Sequence, residues 1–171
     1  MQEEIINFIK SIYSEQIIEN KKNIVSPYNL SIYIPEKNFG IEYCDLKNHS
    51  SFSLEYKKNY HRDLALICQA KEINFFLFFK DEWERKRHLI EQMIKYRLGL
   101  INKKIYARAC RVQEFVSNKD VKPFFDKNHI DGHTNCKRSY ALIHNNSIVA
   151  AMSIRTNHQS ETEIARFATD C

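Results

Sequence analysis

The sequence predicts an α+β protein in two compact halves, residues 1–101 and 102–171, and three observations carry that expectation. Short runs of β-branched and aromatic residues alternate with segments whose apolar residues recur at helical spacing, the pattern of mixed sheets covered by helices. The basic stretch Asn102-Lys-Lys104 separates two such series, and 171 residues suffice for one ordinary domain or two small ones. Only three Gly and three Pro occur, so short turns rather than long linkers should join the elements.

In the first half, Ile5, Phe8, Ile9 and Ile12 share a helical face, with Glu3 and Glu4 in the first turn, where the helix dipole favours carboxylates. The polar stretch from Glu19 to Asn23 precedes two β-rich runs. Leu30–Ile34 and Phe39–Tyr43, separated by Pro35–Asn38, form a predicted hairpin. A helix is predicted over Tyr56–Ala70, with Tyr60, Leu64, Ile67 and Cys68 on one side. The apolar run Ile73–Phe79 predicts a central strand covered on both faces. Asp81 is the expected N-cap of a helix running to about Leu98, and Gly99 its C-cap.

In the second half a strand is predicted over Ile105–Val112, and Ser117-x-x-Asp120 opens a short helix to about Lys127. Tyr140–His144 and Ile148–Ile154 flank Asn145-Asn146, which suits a type I′ turn because Asn tolerates positive φ. A last strand is expected at about Glu163–Ala168.

Hydrophobic residues at 43% and aromatics at 12% supply material for packed cores, which argues against disorder. A net charge of +5 suits a phosphate-bearing partner without demonstrating one. The five cysteines, Cys44, Cys68, Cys110, Cys136 and Cys171, include no C-x-x-C pair, so reduced thiols in a cytoplasm are expected. The opening MQEEIINFIK is acidic and amphipathic, unlike a secretion signal, and Ile73–Phe79 is too short to span a bilayer, so no membrane partner is expected. His129, His133 and Cys136 form H-x-x-x-H-x-x-C, but the spacing differs from a zinc finger and no second Cys lies close; a loop without metal is expected.

Metal-dependent hydrolysis of a phosphodiester needs a divalent ion held by carboxylates and a base that activates water. In the broad restriction-endonuclease architecture an acid on one hairpin strand, and a second acid with a nearby cation on the next, face a single cleft. The hairpin here offers Ser31, Glu42 and Cys44 at those places, and only Glu42 has the chemistry. Alone, a glutamate between Ile41 and Tyr43 is better read as a solvated or salt-bridged residue.

A wider series of motifs changes that reading. Leu30-Ser-Ile-Tyr-Ile-Pro-Glu36, Gly40-Ile-Glu-Tyr43, His49-Ser50, Tyr60-His61 and Phe79-Lys-Asp-Glu-Trp83 resemble, in order and spacing, phage and bacterial homing endonucleases of the EDxHD type, relatives of the very-short-patch-repair endonucleases. The resemblance continues through Lys104-Ile-Tyr-Ala-Arg-Ala-Cys110, Asn128-His-Ile-Asp-Gly132 and Glu163-Ile-Ala-Arg-Phe167. It implies a restriction-endonuclease-like nuclease domain over 1–101, with helices on a mixed sheet, and a small α+β accessory module over 102–171. It also implies double-stranded DNA as partner, magnesium and no organic cofactor, and a phage-encoded protein in a bacterial host.

Carried over by position, the helix glutamate of the family falls on Glu4, with Glu3 as the neighbouring alternative, and the hairpin acid that is kept is Glu42. Glu4 and Glu42 would hold the metal. The aspartate after the Leu of the first hairpin strand is Ser31, and a hydroxyl cannot replace a carboxylate as a charged ligand for a hard cation. The Trp-His pair is Asn48-His49, which keeps a general base, and the following acid is Ser51. Tyr60-His61 is kept, with His61 placed to contact metal-bound water or phosphate; from position alone His61 is a surface or hydrogen-bonded helix residue. The expectation is a DNA endonuclease whose metal chemistry is impaired at Ser31, or a catalytically inactive DNA-binding remnant of one.

Cations interleaved with aromatics nominate Lys103, Lys104, Arg108, Lys137 and Arg138 for phosphate contact, while Arg85–His88 reads as a solvated helix face. The second half also resembles, weakly, a fragment of an acyltransferase-like fold, but it lacks a Gly-rich turn to cradle a pyrophosphate.

Overall fold

The computed structural model describes residues 2–21, 23–45, 59–102 and 104–170. The chain is a mixed α+β protein that divides into two compact units, 1–101 and 102–171, each with a four-stranded sheet.

The first unit runs α1 (Gln2–Ile12), β1 (Ile18–Lys21), β2 (Leu30–Ile34), β3 (Phe39–Cys44), α2 (Tyr60–Ala70), β4 (Asn74–Phe79) and α3 (Lys80–Leu98). Its sheet has the order β1-β2-β3-β4; the first three strands are antiparallel neighbours, and β4 lies parallel to β3 with Glu42 opposite Leu77 and Cys44 opposite Phe79. Helices pack on both faces. Against one, Leu64 and Cys68 of α2 join Val25, Leu30 and Ile73 in a buried cluster. Gly40 admits this packing, because a Cβ there would stand 2.8 Å from Leu30 Cδ1. Against the other face, Phe78 stacks on Trp83 of α3 at 5.9 Å and meets the Tyr43 ring edge-on. α1 buries Ile5, Ile6 and Ile9, and Lys95 of α3 lies over the Phe8 ring, which sets α1 beside α3.

Three details differ from the sequence expectation. The polar stretch at Glu19, to which the sequence expectation assigns no element, belongs to β1, whose polar composition is typical of an edge strand exposed to water. β4 is at the end of the described sheet rather than central: its aromatic run reflects cover by helices above and below, which does not require a strand on each side. Asp81 is not the N-cap of α3. The Phe79 N–H donates to Glu82 Oε2 at 2.7 Å, and Asp81 instead pairs with Arg85 one turn on. Gly99 ends the helix at φ 78°, with its N–H donating to the Tyr96 carbonyl.

The second unit runs β5 (Arg111–Phe115), α4 (Asn118–Asn128), β6 (Arg138–His144), β7 (Ser147–Thr156) and β8 (Thr162–Thr169), with the strands in sequence order and antiparallel throughout. Ala141, Ala151 and Ala168 sit side by side across β6, β7 and β8, and these small residues let Val121 and Phe125 of α4 pack closely on one face. Fully burying the Phe125 ring contributes about 1.5–3 kcal/mol. The Ser117 hydroxyl accepts the Lys119 N–H and caps α4. Asn145 and Asn146 both adopt positive φ, as a type I′ turn requires. The first strand lies later than Ile105–Val112: Ala107–Ala109 form a 3-10 turn, and pairing begins only at Arg111. No helix among the described residues is long and apolar enough to cross a membrane.

Candidate active site

The β2–β3 hairpin and α2 build the site. Successive strand residues point to opposite faces, so while Tyr43 turns towards α3, Glu42 and Cys44 turn towards α2, where Tyr60 and His61 begin the helix. Glu42 is only 5% exposed. Its Oε2 accepts the Ser31 hydroxyl at 2.9 Å and the Ser31 backbone N–H at 3.0 Å, and its Oε1 accepts the Tyr60 hydroxyl at 3.3 Å. Ser31 Oγ in turn accepts the Tyr43 N–H at 3.3 Å. Tyr60 is steadied by edge-on contacts with Tyr28 and His61.

Burial raises the Glu42 pKa, and the three donors, which pull it down, do not offset that desolvation. The neighbouring Cys44 lies 3.4 Å from His61 Nε2. Burial first, then the negative fields of Glu42 and Glu82, pushes this thiol up to about 12, so it stays protonated and is no nucleophile at neutral pH. Burial lowers the His61 pKa, which keeps the imidazole neutral. The protonated thiol can therefore donate to Nε2.

Of the five residues nominated for catalysis, Ser31 and Glu42 are in direct contact, and His61 shares their face through Cys44. Glu4 stands exposed on α1; its charge acts on Tyr43, whose pKa is raised to about 12 by burial, then Asp45, Glu84 and Glu4. His49 lies outside the described residues, as do Asn48, Ser51 and the expected start of α2 before Asn59. Tyr60, which donates to Glu42, is a site residue not nominated by the sequence. Its position carries no local signal for that role, since Tyr60 falls inside the helix expected over Tyr56–Ala70 and its partner Glu42 lies on a separate strand.

The donor set does not fit magnesium. That ion demands about six oxygens in octahedral array, commonly including one or two carboxylates. Among the described residues Glu42 is the only carboxylate in the cluster, both its oxygens already accept protein donors, and the Ser31 hydroxyl spends its proton on Glu42 and accepts from Tyr43. Among the described residues no group of three or more His, Cys, Asp or Glu could hold a metal ion. In the H-x-x-x-H-x-x-C segment, His129 Nδ1 accepts the Asp131 N–H, the His133 N–H donates to Asp126, and Cys136 contacts Ser139.

The nominated DNA contacts occupy different settings. Lys104 is exposed, Arg108 lies over the Tyr106 ring at 5.2 Å, and Lys103 is outside the described residues. Arg138 pairs with Glu114 across β5 and β6 at 2.8 Å, and Lys137, beside it, is exposed. Lys137 and Arg138 line a groove of about 220 Å³ together with Tyr140, Ile154, Arg155, Thr156 and Thr162. Arg155 was not nominated from sequence; it stands at the end of β7 and pairs with Glu163 at 2.5 Å. Comparison with protein families, with curated proteins and with solved structures finds no match to this chain.

Proposed function

We propose that this is a DNA-binding protein of the homing-endonuclease type its motifs resemble, with a restriction-endonuclease-like first unit in which metal-dependent phosphodiester hydrolysis is impaired at Ser31. The observation that carries the reading is the 2.9 Å hydrogen bond from Ser31 Oγ to Glu42 Oε2. Where two carboxylates would repel each other until a cation joined them, a hydroxyl donates and satisfies the remaining acid without one. The α2-facing arrangement of Ser31, Glu42 and His61 supports the nuclease kinship, and the net charge of +5 over the whole chain suits a double-stranded DNA partner.

The competing reading is a working magnesium-dependent endonuclease in which Glu4 and Glu42 hold the ion and His49 is the base. A neutral His61 on the same face as Glu42 favours it. Gel retardation of a duplex across a salt series, run beside nicking of supercoiled plasmid with magnesium or manganese, separates the two. The proposal expects salt-sensitive retardation and no nicking. Nicking that His49→Ala abolishes would return the enzyme, and absence of any salt-sensitive retardation would remove both readings.

A further inference from the structure

Among the described residues, the second unit leaves one face of its sheet without a helix of its own. α4 covers the face carrying Phe115, Ala141, Ile143, Ala151 and Ala168. Cross-strand register assigns Glu114, Tyr140, Met152 and Phe167 to one row of the opposite face, and Arg138, Ile154 and Ile164 to the next. Phe167 is 60% and Ile164 63% exposed, a large apolar area to leave in water. The groove opens at the Arg138 end of these rows, so cations and threonine hydroxyls border an aromatic surface.

The charges decide what kind of partner suits it. Arg138 is held by Glu114 and Arg155 by Glu163, which orients both guanidiniums but cancels their charge, and Lys137 has no ion-pair partner among the described residues. One net positive charge is too little for a surface that holds DNA by phosphates alone. Stacking must supply the rest. In a duplex the base faces are covered by their neighbours, whereas an unpaired strand presents them to aromatic side chains. Tyr140 and Phe167 lie two strands apart in one row, about 9–10 Å at ordinary strand spacing. Two separated bases can reach them.

We propose that this end of the sheet binds single-stranded nucleic acid, with a backbone phosphate in the groove among Lys137, Arg138 and Arg155 and the neighbouring bases stacked on Tyr140 and Phe167. The proposal rests on the DNA-binding reading and adds the form of DNA that the second unit takes. Thr156 and Thr162, paired across β7 and β8, offer hydroxyls to the same phosphate.

The test is fluorescence anisotropy of the full chain with a labelled strand of about a dozen nucleotides and with the same strand as a duplex, across a salt series. The strand binds more tightly than the duplex. Phe167→Ala, at an exposed position, weakens strand binding by about fivefold to a hundredfold and leaves duplex binding unchanged, while Phe167→Trp restores it. Lys137→Ala weakens strand binding and lowers its salt slope by about one. Equal affinity for both forms, or strand binding indifferent to Phe167→Ala, overturns the proposal while leaving the DNA-binding reading in place. Loss of salt-sensitive binding to either form removes that reading itself. A dimer in sedimentation equilibrium that Phe167→Asp dissociates would assign the face to a second copy of the chain and overturn stacking.

Discussion

Glu42 in the first unit is withdrawn from water and satisfied by three donors from its own chain, whereas Arg138 and Arg155 in the second are half-exposed and each faces one carboxylate. Burial makes the first site sensitive to any change in charge or donor count, since the cost of an unsatisfied buried group falls wholly on the fold. Exposure makes the second tolerant, since water replaces whatever a substitution removes. The contrast separates a buried site, where a substitution registers in the stability of the unit, from an exposed one, where stability is largely indifferent to it.

The largest effect is expected from Ser31→Asp. A second carboxylate against the buried Glu42, with no described cation beside it, destabilises the first unit by about 3 kcal/mol at neutral pH. Urea denaturation checks this, and manganese should recover the loss if the two acids then share an ion. A variant as stable as wild type without metal would mean that the two positions do not face one another.

Ser31→Ala removes one donor and keeps the Ser31 backbone N–H, so the expected loss is about 2 kcal/mol, typical of a hydrogen bond to a charged group. The same denaturation series reads it.

A smaller effect follows pH. Burial holds the Glu42 pKa above its ordinary 4.5, so between the two values the folded protein keeps a proton that the unfolded chain has released. The Glu42 contribution is therefore complete below 4.5 and falls as pH rises through the folded pKa. His61 acts in the opposite sense: burial lowers its pKa below 6.5, so its contribution is present above 6.5 and lost as pH falls. Urea midpoints should show wild type losing ground to Glu42→Gln as pH rises from 4.5 through the folded pKa, with the difference constant above it. Parallel profiles would contradict the buried-acid assignment.

The smallest effect on the fold is expected in the groove. Arg155→Ala changes stability by no more than about 0.5 kcal/mol, because its partner Glu163 remains solvated. The same variant weakens oligonucleotide binding measurably by anisotropy. A large loss of stability with unchanged binding would reverse the contrast between the regions.

Much of this architecture was legible where local signals coincide. Ser117 ahead of an amphipathic run marked α4, and Asn145-Asn146 between two apolar strands marked the β6–β7 turn, because each signal acts over a few residues. β1 was not legible, since an edge strand is specified by its partner's register rather than by its own pattern. The pairing of Ser31 with Glu42 could be anticipated from the hairpin. That the hydroxyl would donate directly to the acid could not, nor could the placement of Tyr60, because a helix far along the chain closes the site. The carboxylate partners of Arg138 and Arg155 were equally hidden, as both are set by cross-strand neighbours.

The most direct measurement is plasmid nicking with manganese by wild type, Ser31→Asp, and Ser31→Asp combined with Glu42→Gln, each first shown to be folded under the assay conditions. The expected result is no nicking by wild type, manganese-dependent nicking by Ser31→Asp, and its loss in the double variant. Nicking by wild type that requires Glu42, or a folded Ser31→Asp that gains none, would contradict the proposal that one hydroxyl disables metal-dependent cleavage.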